Sequence, residues 1–399
     1  MPPTSAGVPA SAIRVAHAAF VLTGVVTTLL GPLLPVLVAR WSLDDAQAGT
    51  FFTAQFAGSI CGVGVSGLLV ERVGYQRALA SGLALMASGV GALGMAGWPA
   101  ALVAVGCYGV GLGITIPATN LFVAAAHTHD RSAALNILNF AWAAGAVAAP
   151  PVLAWLAARG RADLFVIGLA SALAAAVLGV LAFASARHAR LRVSDASTKH
   201  ARLRISDAST RQIPRVQWRS PAFVVFGALF FVYVGTENAV AGWAAVHVSR
   251  IAAAAAATSA PAFFWGALLA GRAAAPAMLR RVDEERLMQA ALALATAGLV
   301  LLIAARSLAA ALAGTSMCGL GLSIVFPTTM AQLSRTFGDA SGRAAAAAFV
   351  LAGLGGATVP WLVGRWSASA GSLRTGLLVP LFGCAAMMAL HAWRRRISA

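Results

Sequence analysis

The sequence predicts an all-α membrane protein of twelve transmembrane helices, arranged as two pseudo-symmetric six-helix halves. Three observations lead to this prediction. Hydrophobic residues make up 60% of the 399-residue chain and charged residues only 10%, whereas soluble proteins have about 45–50% and about 25%. Twelve apolar runs reach the roughly 20 residues needed to cross a bilayer. Sequence elements of the first half also recur about 210 residues later.

The predicted spans cover approximately residues 14–39, 46–70, 78–97, 100–126, 132–158, 164–186, 221–248, 259–280, 287–305, 308–334, 344–364 and 373–393. Several contain glycine or proline, which membrane helices tolerate because neighbouring helices satisfy the freed backbone groups. The first run is too long for a cleaved signal peptide and follows no strongly basic start, so we expect it to be retained.

The basic residues predict the orientation. With the N-terminus in the cytoplasm, 22 of the 29 lysines and arginines fall in cytoplasmic segments and 7 fall outside, as the positive-inside rule requires. We therefore expect both termini to be cytoplasmic, in the inner (plasma) membrane. This distribution also accounts for the formal charge of +17. Because the charge is spread over many loops with no soluble domain, no nucleic-acid partner is predicted.

A repeat at an offset of 210 supports the two halves. The stretch GVGLGITIPATN (109–120) matches GLGLSIVFPTTM (319–330) at six of twelve positions. The same offset aligns Gly145 with Gly355 and Pro150 with Pro360. The shift equals six spans, an even number, so both halves have the same orientation. The predicted halves are 1–186 and 221–399, and this architecture is typical of alternating-access transporters.

A second repeat occupies the predicted cytoplasmic linker, 187–220. ARLRVSDASTKH is followed directly by ARLRISDASTRQ, and nine of twelve positions match over residues 189–212. Loops accept insertions readily, so we expect a tolerated duplication. The alternative is contact of its arginines with anionic lipid.

One loop carries a family resemblance. The stretch GLLVERVGYQR (67–77) resembles the G-x-L-x-D-R-x-G-x-x-R loop of the major facilitator superfamily, with Glu71 in place of aspartate. The resemblance implies that this loop makes a charge contact between the halves on the cytoplasmic side, which stabilises the outward-open state. The gating residues it implies are Gly67, Glu71, Arg72, Gly74 and Arg77. The second-half copy, AMLRRVDEERL, keeps only the arginines.

Three further stretches, YVGTENAVAGW, FFWGALLAGR and TAQFAGSICG, are similar to the fucose:proton symporter-like branch of that superfamily. Fucose permease uses membrane carboxylates in its first half. Spans one to six of this chain contain no interior acid, so the resemblance does not carry fucose over as the substrate.

Glu237 is the only one of twelve acidic residues predicted to lie inside a span. It is sixteen residues beyond Pro221, which places it about 24 Å along the helix. An ionised carboxylate at mid-membrane is costly, so Glu237 is either protonated or faces water or a cation. Both states suit a proton-coupling residue, and a sodium ion is the alternative. A protonated glutamate that only joins two helices is the structural explanation. Gly235 and Gly242 indicate a bend or close helix packing.

Polar and aromatic residues at mid-span depth are candidates for substrate binding: Gln55, Asn120, Asn136, Asn139, Trp142, Asn238 and Trp265. Amides that pair with hydroxyls, together with an aromatic plane, suit a sugar-like solute, although each amide alone is equally typical of helix–helix packing. Arg272 is recessed by about 12 Å from Arg280. It either extends its side chain to the membrane surface or contacts the other half or the substrate, and we include it among the gating residues.

No enzyme, cofactor or metal site is predicted. Cys61, Cys107, Cys318 and Cys384 lack metal-type spacing, and no phosphate loop, dinucleotide fingerprint or catalytic triad occurs. The predicted function is a monomeric secondary transporter, with membrane lipid, a small polar organic solute and a proton or sodium ion as partners. A proton-coupled exporter is the first alternative, although GAVAAPPVLA (145–154) keeps little of the exporters' glycine-rich span-five pattern. A transport-inactive membrane sensor is the second.

Overall fold

The computed structural model describes residues 10–127, 131–194, 218–252 and 257–398, and these residues form a bundle of α-helices. The helices are Ala10–Thr28, Leu30–Trp41, Asp45–Met95, Ala101–Ala126, Arg131–Ala157, Ala162–Ser194, Pro221–Ser249, Ala260–Leu279, Glu284–Ala304, Leu308–Leu322, Val325–Phe337, Ser341–Ala370, Leu373–Gly376 and Leu378–Ser398. Eleven helical stretches in these ranges are long and apolar enough to cross a membrane, and Leu30–Trp41 is a shorter apolar helix.

The 51-residue stretch Asp45–Met95 is two spans. As one straight helix it would measure about 76 Å, far more than the roughly 30 Å of a bilayer core. At Gly74 the backbone leaves the helical region, with φ of 81° and ψ of 165°, a conformation that glycine adopts without strain. The chain turns back at this point.

The packing register confirms the reversal. Before Gly74, Gly58 packs on the backbone of Gly106 and Gly62 on that of Val110, so the two helices run parallel. After Gly74 the contacts with the helix Ala101–Ala126 follow the opposite order, so the two helices run antiparallel. In that part Gly82 packs against Gly111, and Gly89 packs against Ala104. With this division, and with Ala10–Trp41 and Leu308–Phe337 each taken as one broken span, the described chain crosses twelve times, as predicted. We number these spans 1 to 12.

The second half repeats the contacts of the first. Gly145 of span 5 packs on the backbone of Val21 in span 1, and Gly355 of span 11 packs on that of Phe231 in span 7. Gly355 and Phe231 lie 210 residues beyond Gly145 and Val21. In two further pairs of contacts the glycines are 210 residues apart and their partners 209: Gly109 on Gln55 with Gly319 on Phe264, and Gly111 on Gly82 with Gly321 on Ala291. These glycines are therefore where backbones approach closely, and the pseudo-symmetry predicted from them is confirmed.

Prolines explain two breaks inside spans. Span 1 is interrupted at Leu29 and span 10 at Ser323 and Ile324. Pro32 and Pro327 follow these breaks, and a proline lacks the N–H that would bond the carbonyl four residues earlier. The carbonyls left without this partner are those of Thr28 and Ser323.

The predicted linker lies mostly outside the described residues. The helix of span 6 continues to Ser194, and the description resumes at Trp218. Most of the 189–212 repeat falls between these points. Span 7 begins where the Ser220 hydroxyl accepts the Phe223 N–H, 3.2 Å away, with Pro221 in the first turn.

The halves are joined at one face of the bundle, where spans 1 and 2 connect. The Asp45 carboxylate, at the start of span 2, accepts hydrogen bonds from Arg250 Nη2 of span 7 and from Ser367 Oγ of span 11. Gly31 of span 1 also lies against the backbone of Ala241 in span 7. We call this the closed face, and the contact of Asp45, Arg250 and Ser367 the Asp45 lock.

The halves separate towards the opposite face. Along span 2, the Thr53 hydroxyl donates to the Ala357 carbonyl of span 11, 2.9 Å away, and Ile60 packs on Gly353. Beyond Ile60, Val63 is 41% exposed, and Gly64 and Gly67 have open space where a side chain would begin. Contact between spans 2 and 11 therefore ends near mid-span, and we call the opposite side the open face.

Candidate functional site

A cluster of three polar side chains, two buried and one partly exposed, lies at the centre of the second half. Glu237 of span 7 is 8% exposed. One turn earlier, the Tyr233 hydroxyl donates to Glu237 Oε1 at 2.5 Å. Arg272 of span 8 places Nη2 3.6 Å from the same oxygen. Glu237, which the sequence analysis placed near the middle of the membrane, therefore has the Arg272 guanidinium and the Tyr233 hydroxyl as partners.

Close packing holds Glu237 in position. The helix Pro221–Ser249 runs through this region without a break. Gly235 lies against Val359 of span 11, and Gly242 lies against the ring of Phe52 in span 2. Of the two roles considered for these glycines, the structure supports close packing.

The Arg272 guanidinium has three polar partners, all in its own half. Nε is 3.4 Å from the Ser323 carbonyl, which is the carbonyl that Pro327 leaves without a helical partner. This contact and the 3.6 Å contact to Glu237 are both longer than the 2.7–3.2 Å of ordinary N–H···O bonds, and the third partner is the Tyr233 hydroxyl. A guanidinium has five N–H donors, and the Arg272 side chain is 35% exposed. These three partners therefore leave N–H donors that a ligand can use.

A small cavity between the halves is lined by Asn238, the residue after Glu237, but not by the three cluster residues themselves. Three predicted substrate residues, Gln55, Asn238 and Trp265, line it together with Thr27 and Phe52. Its volume is about 10 Å³, which is room for about one water molecule. The cavity in this conformation is therefore too small for a sugar-sized solute, and a larger volume requires the halves to move.

Hydrogen bonds fix the polar wall of the cavity. Gln55 accepts the Tyr108 hydroxyl at 2.9 Å and donates to the Thr27 carbonyl at 3.2 Å. Trp142 Nε1 donates to the Thr27 hydroxyl at 3.3 Å. The Trp142 ring meets that of Trp265 edge-on, with 5.6 Å between centroids. Gln55, Trp142, Asn238 and Trp265 thus gather where spans 1, 2, 5, 7 and 8 meet.

The other three predicted amides are placed differently. Asn120 and Asn139 donate to carbonyls of their own helices, those of Ile116 at 2.8 Å and Leu135 at 3.0 Å. Asn136 is exposed, as is Asn139. None of these three lines the small cavity, and their part in substrate binding stays a prediction.

Comparison with known proteins identifies the family. A family model described as the Major Facilitator Superfamily matches residues 16–360. The chain belongs to this superfamily. It is therefore a multi-pass membrane protein with a transporter fold, and the resemblance seen in the sequence is confirmed.

Solved structures of other transporters share the fold. A bacterial homologue of the human lysosomal transporter Spinster, inward-facing and unoccupied, has a TM-score of 0.73 at 14% identity over 98% of both chains. The nucleoside transporter NupG has a TM-score of 0.74 at 11% identity, over 97% of this chain and 99% of its own. The E. coli fucose:proton symporter FucP has a TM-score of 0.60 at 19% identity, over 96% and 98%. These similarities establish the fold and not the substrate. No curated protein sequence matches the chain.

The superfamily loop lies at the open face. Glu71, Arg72 and Arg77 are exposed there, and Gly74 supplies the turn with its positive φ. In the described part of the chain, Arg72 and Arg77 have no ion pair with the second half. This arrangement fits a loop whose contacts form when the open face closes, and its gating role stays a prediction.

Two features were missed from the sequence. Tyr233 was not considered, although it precedes Glu237 by four residues and so shares its helix face. Asp45 and Arg250, at the start of span 2 and just beyond the end of span 7, were not predicted to pair, although Asp45 is 8% exposed and joins the two halves. The sequence did contain a signal for this contact, because Asp45 and Arg250 are opposite charges at span ends on the same face of the bundle.

Proposed function

We propose that the protein is a proton-coupled symporter that moves a small polar organic solute, sugar-like in its hydroxyl groups, across the inner membrane by alternating access. The observation that carries the proposal is Glu237. Among the described residues it is the acid buried in the middle of a span, and it has a cation within 3.6 Å. Acidic groups in this position are rarely without function.

The two faces of the bundle support alternating access. The Asp45 lock and the contacts along spans 2 and 11 close one face, while the helices separate at the other. Most of the lysines and arginines lie in segments at the open face, which the positive-inside rule assigns to the cytoplasm. The conformation is then inward-open, and both termini are cytoplasmic.

The charge of Glu237 links proton binding to cargo binding. Protonation removes its attraction to Arg272, and deprotonation restores it. Because the halves expose the site to one side of the membrane at a time, the proton taken up on one side is released on the other. The cargo binds in the space that opens between the halves beside Gln55, Asn238 and Trp265.

The test is Glu237→Gln, which keeps the shape and resembles the protonated carboxyl. Uptake into proteoliposomes is measured for a panel of sugars and sugar acids added outside, with and without an imposed pH gradient. We expect the variant to lose gradient-driven accumulation but keep binding and exchange, since those steps need no net proton movement. Asp163→Asn, an exposed acid at the closed face, is the matched control and should accumulate normally.

The same assay separates the alternatives. Full accumulation by Glu237→Gln would exclude the coupling role. Accumulation that follows a sodium gradient would replace the proton with sodium. Solute leaving vesicles in exchange for protons would indicate the exporter, and absence of transport of every solute would favour the sensor.

A further inference from the structure

We propose that the cargo carries a carboxylate, and that Arg272 binds this carboxylate while the coupling proton occupies Glu237. The inference deepens the proposed function and rests on it, because it assigns the charge of the cargo at the same site. The cargo is then a hydroxylated monocarboxylate, a sugar acid being the representative class.

Charge balance at the centre of the membrane is the main argument. In the empty site, the positive Arg272 is balanced by the negative Glu237, 3.6 Å away. If Glu237 takes a proton and the cargo is neutral, Arg272 is left as an uncompensated charge. Leaving one partner of a buried pair without the other is strongly unfavourable, and the cost is smaller but still present here because the Arg272 side chain is 35% exposed. If the cargo brings a carboxylate, the loaded site is again neutral.

The same balance explains obligatory coupling. A proton without the anion leaves a net charge of about +1, and the anion without the proton leaves about −1; both are costly within the membrane. Only the empty site and the fully loaded site are neutral. The empty and the fully loaded protein are therefore the two forms that change from one open conformation to the other, as symport requires.

The geometry of Arg272 fits this role. Its contacts with the Ser323 carbonyl and Glu237 are long, at 3.4 and 3.6 Å, and its third partner, the Tyr233 hydroxyl, is uncharged. Once Glu237 is protonated, a cargo carboxylate is therefore a better acceptor for the guanidinium. Arginine binds carboxylates through two parallel N–H···O bonds, which are stronger than neutral hydrogen bonds. Trp265, which lines the inter-half cavity, is seven residues away on the same side of span 8, about 10 Å along the helix. A cargo held by Arg272 can thus extend its hydroxyls towards the amides of the cavity.

A single carboxylate fits better than a phosphate. A phosphate monoester carries about −1.5 to −2 charges at neutral pH, and the central cluster offers one cation. The charged or titratable groups that face Glu237 are Tyr233 of its own helix and Arg272 of span 8. The contacts that the adjoining residues Gly235 and Thr236 make with spans 11 and 12, to Val359 and Gly383, are uncharged.

The experiment measures binding to the purified full-length protein. The probes are acetate, lactate, gluconate and glucuronate, with glucose as the neutral counterpart. For the wild type, we expect carboxylate affinity to rise about tenfold for each unit by which the pH falls, over the range in which Glu237 is ionised in the empty site, because one proton enters with each anion. In Glu237→Gln the affinity should be higher and independent of pH above about pH 5, because no competing carboxylate remains.

Arginine variants complete the test. Arg272→Lys keeps the charge without the two-bond geometry and should bind carboxylates weakly. The double variant Glu237→Gln with Arg272→Gln leaves no charged side chain without its partner, so the protein should fold and yet lose carboxylate binding. Retained binding by this double variant, equal binding of glucose and gluconate, or no binding of any carboxylate to Glu237→Gln would each overturn the proposal.

The two proposals fail in different ways. If a neutral sugar is accumulated with protons and Arg272→Gln still binds it, the coupling role of Glu237 stands and the anion site is wrong. If carboxylates bind through Arg272 but Glu237→Gln accumulates them fully, the anion site stands and the coupling role is wrong.

Discussion

Breaking the Asp45 lock should shift the protein away from the conformation in which the closed face is shut. Asp45→Asn removes the negative charge that holds Arg250 while keeping a similar shape and an oxygen acceptor for Ser367. Both partners belong to the second half, so the loss acts on the contact between the halves and not on packing within one of them.

The size of the shift follows from the burial of the two side chains. The Asp45 side chain is 9% exposed and that of Arg250 is 42% exposed. Breaking a fully buried pair costs about 3–5 kcal/mol, and exposed pairs contribute about 0–1 kcal/mol. We expect an intermediate effect of about 1–3 kcal/mol, which changes the ratio of the two conformations about 5- to 150-fold.

Cysteine labelling measures the shift. In a variant without the four native cysteines, all of which are unpaired, Ala241→Cys, at a position 4% exposed, reports on opening of the closed face and Val63→Cys on closing of the open face. Asp45→Asn should raise the rate of maleimide labelling at position 241 and lower it at position 63. Asp163→Asn is the control for a lost surface acid.

A double variant checks that the pair acts as one unit. Because Asp45 and Arg250 interact directly, Asp45→Asn with Arg250→Gln should differ little from either single variant. Effects that add fully, or labelling rates at position 241 that do not change in a folded Asp45→Asn protein, would refute the idea that this contact holds the face closed.

Three other predictions concern the fold, the loop and the linker. Gly355→Leu should destabilise the protein by about 1–3 kcal/mol, because a side chain there would collide with the Phe231 backbone; thermal unfolding measures this, with the open position Gly168→Leu as control. Arg72→Ala should slow transport without reducing expression, and unchanged transport would remove the loop from the mechanism. Deletion of residues 201–212 should leave transport nearly unchanged, whereas a large loss in the same uptake assay would show that the linker has a function.

The spans were predictable because the bilayer imposes a length and a composition on every crossing. The halves were predictable because Gly145 and Gly355 tolerate nothing larger, so the repeat persists at the positions where backbones touch. The breaks in spans 1 and 10 were not predicted. Pro32 and Pro327 indicated them, but many membrane helices continue through a proline when neighbours satisfy the freed carbonyl.

For the candidate site, the sequence predicted only how deep in the membrane each residue lies. Helix rise placed Glu237 and Arg272 below the membrane surface, but their pairing depends on how spans 7 and 8 are rotated about their axes. Rotation also decides which amides line the cavity. Gln55 points towards Thr27 and Tyr108, whereas the Asn139 amide turns back to its own helix. Depth follows from counting residues, while rotation follows from packing against several other helices at once.

The two polar networks are physically connected through span 7. Arg250 lies just beyond the last residue of the helix that carries Glu237, thirteen residues away or about 20 Å by helix rise. Because this helix is unbroken, a movement that separates Arg250 from Asp45 also moves Glu237 relative to span 2, which carries Gln55. Opening of the closed face and widening of the central cavity are then parts of one motion. In the mechanism that we propose, a charge left unbalanced beside Glu237 raises the energy of the conformations through which that motion passes, so neutrality at the centre permits the exchange of faces that the Asp45 lock otherwise opposes.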